Sequence, residues 1–107
     1  MRGIIWGNTF KVTIPVLDRI KRNYLFQGHE IIKEVKTSDT HLVIFSNGDY
    51  WEAVGASANR RGKRANVSYI DANIDPQVID EVIRPATVAF PYHAINYFYP
   101  REDEYDR

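Results

Sequence analysis

The segment from Ala58 to Pro76, ANRRGKRANVSYIDANIDP, restricts the fold more than any other stretch of the chain. Four basic residues surround a glycine (Arg60, Arg61, Gly62, Lys63, Arg64), and the apolar run Val67 to Ile70 follows and ends on Asp71. Asp75-Pro76 then announces a helix, with an acidic N-cap and a proline at the first helical position. A basic loop, a buried strand, an acid at its carboxyl end and a new helix make the pattern of an α/β phosphate site. Ligands of open α/β sheets sit outside the carboxyl ends of the strands.

The rest of the chain supplies the other elements of such a sheet. Gly3 to Gly7 (GIIWG) is short, apolar and glycine-bounded, and predicts a buried strand. From Ile14 the apolar residues Ile14, Val16, Leu17, Ile20 and Tyr24 fall near helical spacing, with Asp18, Arg19, Lys21 and Arg22 on the other face. Pro15 suits a first turn, and Gly28 suits the C-terminal cap. Ile31, Ile32 and Val35 allow a strand or a short helix. The β-rich run His41 to Phe45 beyond the turn at Thr37 to Asp39 favours the strand. Asn47-Gly48 is the strongest hairpin signal and predicts a type I′ turn, giving three antiparallel strands between Glu30 and Val54. Val78, Ile79, Val82 and Ile83 form one apolar helical face that Pro85 is expected to stop, and Ala86 to Phe90 is one more candidate strand.

These elements predict one α/β domain over residues 1–90, a small mixed sheet with a β-hairpin and two main helices. An aromatic, then charged tail, 91–107, follows, with a frayed end. Composition narrows the function classes. With 107 residues, zero formal net charge and pI about 6.8, no global attraction to nucleic acid or membrane is expected, so such binding needs a local patch. The absence of cysteine excludes disulfides and thiolate chemistry and fits a cytoplasmic setting. His29, His41 and His93 lack metal-like spacing, and Ser46, Ser57 and Ser68 lie in no nucleophile elbow.

Asp71 is the residue placed to hold Mg²⁺ beside phosphates, and it could equally cap a turn together with Asn73. Arg60, Arg61, Lys63 and Arg64 are candidate phosphate or nucleic-acid contacts, or a solvated loop. The sequence contains no GxxxxGK[ST], and Ala72 follows Asp71 where a nucleotide hydrolase keeps a glutamate.

The segment from Asn47 to Asp75, NGDYWEAVGASANRRGKRANVSYIDANID, resembles the ATPase domain of the phage terminase large subunit, the DNA-packaging motor. Phe45, Asn47 and Gly48 match its hairpin, Arg61-Gly62-Lys63-Arg64 its R-G-x-R/K loop, and Val67 to Asp71 its Walker B strand. The resemblance covers roughly Gly3 to Pro85 and implies a partial P-loop-type ATPase core. It also implies that the chain starts after the Walker A elements and stops before a nuclease domain. Asp71 carries over as the metal-side acid, and Arg61 and Arg64 as phosphate- or DNA-facing groups. With Ala72 and no phosphate loop, the isolated chain is expected to lack ATPase activity and resident cofactors. Mg²⁺ and ATP would bind only if a partner chain supplies that loop. The expected partners are a protein, DNA through the basic loop, or a second copy, with no membrane. The expected location is the host cytoplasm if the chain is phage-encoded. The alternatives are a non-catalytic phage accessory protein that binds a host or motor protein, and a weak nucleic-acid-binding module that uses the basic loop at 60–64.

Overall fold

The computed structural model describes residues 1–56 and 62–101. Six strands form one mixed sheet: β1 (Arg2–Gly7), β2 (Ile31–Lys36), β3 (Thr40–Phe45), β4 (Tyr50–Gly55), β5 (Val67–Asp71) and β6 (Ala94–Phe98), in the order β2-β3-β4-β1-β5-β6. The first three in that order are antiparallel neighbours, whereas β4, β1, β5 and β6 run parallel. The N-terminal strand therefore sits inside the sheet, with later strands on both sides.

Strand β1 alternates between two cores. Ile4 and Trp6 join Val54, Ile70, Ile79 and Ile83 on one face. Ile5 joins Leu17, Ile20, Val43, Phe45 and Trp51 on the other. Because successive side chains of a strand point to opposite faces, one helical connection covers each face. The Ile5 side is covered by α1 (Ile14–Phe26), entered through a 3₁₀ turn at Phe10–Thr13 and followed by Gly28 at φ +91°. Its start and cap follow the sequence expectation.

The other connection departs from it. Asp75 caps α2 (Pro76–Val78) through Gln77 N–H, as expected, but Pro85 does not end the helix. The chain widens into a π-helical turn (Ile79–Ile83), closed by Arg84 N–H to the Ile79 carbonyl, and continues as α3 (Arg84–Val88). A proline ring clashes with the carbonyl four residues back and lacks a donor, and a widened turn just before it relieves both problems. Ala86 to Phe90 is accordingly not a strand. The sixth strand is Ala94–Phe98, within the segment expected to be tail, and it lies parallel to β5.

The β3–β4 hairpin also has a different turn. Asn47 does not have positive φ, whereas Gly48 lies at φ +90°. Phe45 N–H reaches the Asp49 carbonyl and Gly48 N–H reaches that of Phe45. This is the three-residue form with one left-handed glycine, not the two-residue type I′ turn.

Candidate functional site

Strands β1 and β5 are parallel neighbours whose continuations diverge, from β1 through α1 to β2 at one edge of the sheet and from β5 through α2 and α3 to β6 at the other. The gap beyond their carboxyl ends is a topological switch point, where open α/β sheets take ligands. Gly7 and Asn8 form one wall and Asp71 to Asn73 the other. The chain turns so sharply after β1 that a Cβ on Gly7 would lie 2.2 Å from the Thr9 carbonyl oxygen.

Asp71 holds this gap closed. Its side chain is fully buried. Asn8 N–H donates to Oδ2 at 2.9 Å, and Asn73 N–H donates to Oδ1 at 2.9 Å. The Asn73 bond is the side-chain turn readable in the local sequence. The Asn8 bond joins positions 63 residues apart, and no local signal could reveal it. Ala72 N–H bonds to the Phe98 carbonyl at 2.9 Å, which brings the end of β6 to the same edge.

Among the described residues no three His, Cys, Asp or Glu side chains converge as a metal centre would require. Mg²⁺ takes near-octahedral oxygen ligation from one or two carboxylates, waters and substrate phosphates. Asp71 accepts from two backbone amides, and a metal beside it would draw its remaining ligands from water, phosphate or another chain.

The basic residues divide. Arg60 and Arg61 lie outside the described residues. Lys63 Nζ pairs with Glu52 Oε1 at 2.8 Å, on the face carrying α2 and α3. The exposed Arg64 borders a cavity of about 170 Å³ with Lys63, Glu81 and Pro85. Ala65 N–H bonds to the Ala86 carbonyl, and Asn66 N–H to that of Arg2 at the amino end of β1. The five steps from Asn66 to Asp71 span about 16 Å at the usual rise of a strand. Lys63 and Arg64 thus flank α3, while Asp71 lies at the carboxyl edge. The two groups share a sequence segment but not a site.

Two hydrogen-bonded networks anchor the helices around this frame. On the α2–α3 face, Trp6 Nε1–H donates to Ser68 Oγ at 3.1 Å, and Ser68 Oγ lies 2.6 Å from Thr87 Oγ1. Thr87 donates its own proton to the Ile83 carbonyl at 3.0 Å, so Ser68 must donate to Thr87. On the α1 face, Trp51 Nε1–H donates to the Tyr24 hydroxyl at 3.0 Å, and Tyr24 donates to Asp49 Oδ2 at 2.6 Å. Burial and then the Asp49 hydrogen bond push the Tyr24 phenol up to about 12. Burial works against the Asp49 carboxylate, but hydrogen bonds from Tyr24, the Met1 amine and Asn47 hold it below its ordinary range.

Among the described residues no helix is long and apolar enough to cross a membrane. No family model matches the chain, and no curated protein matches its sequence. A solved structure does share the fold: the large terminase of a thermophilic bacteriophage, with a TM-score of 0.64 and 14% sequence identity. The match takes in 92% of this chain and 24% of that one, so the chain spans about a quarter of the terminase's length. At this level of identity the likeness is one of fold: the chain has a terminase-like α/β core.

Proposed function

We propose that the chain is a terminase-like ATPase-core segment that serves a DNA-packaging motor as a structural and docking element, without turning over ATP alone. The observation that carries this reading is the carboxyl edge of the sheet. The fold is shared with a phage terminase over 92% of the chain, and here the parallel β4-β1-β5-β6 core carries an acid at the end of β5. That acid clamps the loops after β1 and β5. The absence of GxxxxGK[ST] and the presence of Ala72 point the same way. In this reading Asp71 sets the shape of the edge, and a phosphate loop, if one is used, comes from another chain. DNA contact through the basic loop would rest on Arg60, Arg61 and Arg64, because Lys63 is engaged by Glu52.

The test is a steady-state ATPase assay with Mg²⁺ on the purified chain and on Asp71→Ala and Asp71→Asn. No turnover is expected in any of the three. Both substitutions should lower stability, Ala more than Asn, by about 1–3 kcal/mol, because the amides of Asn8 and Asn73 lose a charged acceptor. Turnover by the native chain that disappears in the Asp71 variants would overturn the proposal.

A further inference from the structure

The two edges of the sheet are built differently. Strand β2 carries Lys33, Glu34 and Lys36 among its six residues and an irregular register between Ile31 and Lys33. Charges and bulges are the usual devices that keep an edge strand from pairing with another chain. Strand β6, AINYF, has neither, and no Lys, Arg, Asp or Glu occurs from Ala89 to Pro100. Parallel strands are ordinarily covered, yet Ala94, Asn96 and Tyr97 are exposed.

The backbone geometry fixes what this edge can accept. Ala94 N–H bonds to the Asn66 carbonyl and Ala72 N–H to the Phe98 carbonyl. With the alternation of a strand, Ala94, Asn96 and Phe98 direct their backbone groups at β5. Ile95 and Tyr97 direct theirs outward. The outward set is therefore two donors and two acceptors, placed symmetrically about Asn96.

We infer that β6 pairs with β6 of a second copy of this chain, antiparallel about a two-fold axis at Asn96. In that register Ile95 faces Tyr97 of the second copy, and the two residues exchange N–H···O=C bonds. The symmetric pair does the same, so all four outward groups of each copy are satisfied by four bonds. Both members of each pair lie on the face carrying α2 and α3, because Ile95 packs against that core. An aromatic beside a β-branched residue is a favourable cross-strand pair. Arg84 Nη2 already donates to the Tyr97 hydroxyl at 2.8 Å and orients that ring. Asn96 meets Asn96 of the second copy as the closer, non-hydrogen-bonded pair, where two amides can bond and no like charges meet. Such a contact is isologous and closes at two copies.

The experiment is sedimentation velocity on the full chain from micromolar to millimolar concentration, with circular dichroism to confirm folding. The native chain should sediment as a dimer. Asn96→Asp, which sets two carboxylates opposite each other at an exposed position, should convert it to monomer with an unchanged spectrum. Tyr97→Pro removes an outward donor without touching a bond to β5, and should do the same. Val35→Asp on β2 should leave the dimer intact. A native chain that is monomeric throughout overturns the inference. So does a dimer that survives both β6 variants, or one that the β2 variant alone disrupts.

Discussion

The two faces of the sheet hold their helices in different ways. On one, α1 is a regular 13-residue helix whose apolar stripe lies on Val43, Phe45 and Trp51, with its polar network at the rim. On the other, the helix changes pitch at Ile79–Ile83, and a hydrogen-bonded chain from Trp6 to Ser68 to Thr87 runs through the interior. Side-chain periodicity alone places the first helix. The second needs hydroxyl groups to fix a backbone that its own sequence strains, since Pro85 leaves it short of a donor.

Core truncation should separate the faces most strongly. Phe45→Ala removes a fully buried ring stacked on Tyr24 at 4.0 Å and should cost about 3–5 kcal/mol in urea unfolding. Ile83→Ala, also fully buried, should fall towards the lower end of about 2–5 kcal/mol, because a widened turn can collapse into the space. Equal losses would erase the distinction.

The interior hydroxyls come next. Thr87→Val keeps the shape but strands the Ser68 proton, and should cost about 1–3 kcal/mol. Adding Ser68→Ala should then cost less than it does alone, which a double-mutant cycle would register as coupling.

The rim network on the α1 face should show the smallest effect and a pH signature. Tyr24→Phe should cost about 0.5–1.5 kcal/mol. The Tyr24 phenol is raised from 10.0 to about 12 in the folded chain, so its contribution is complete below pH 10 and is lost as the pH climbs to about 12. Asp49 is shifted the other way, so its contribution is present above the ordinary value of 3.8 and is lost as the pH falls through the lower folded value. Thermal melts across both ranges should show the alkaline loss reduced in Tyr24→Phe.

The same contrast marks what can be read from the sequence. The α1 stripe, the Asp75-Pro76 start, the hairpin at Asn47-Gly48 and the position of Asp71 are all legible, because each is a local pattern. Pro85 misleads, because the rule that proline ends a helix assumes that the preceding turn keeps its pitch. The segment Ala94–Phe98 becomes a strand only by pairing with β5, and a proline, a tyrosine and a histidine in front of it hide that role. For the site, Asn73 is legible as the turn partner of Asp71. Asn8, Glu52 and the separation of Lys63 and Arg64 from Asp71 are not, because each depends on how the chain crosses β1.

The central place of β1 also has a consequence for synthesis. β1 emerges before the other five strands, yet its neighbours are β4, starting at Tyr50, and β5, starting at Val67. The β2–β3–β4 meander can close through short turns as soon as it emerges, whereas the most buried strand must wait for nearly half the chain before gaining its first partner. Pairings between such distant segments carry a high loop-closure cost and set the pace of folding. A translational pause before β4 and β5 have emerged would leave GIIWG without a partner strand.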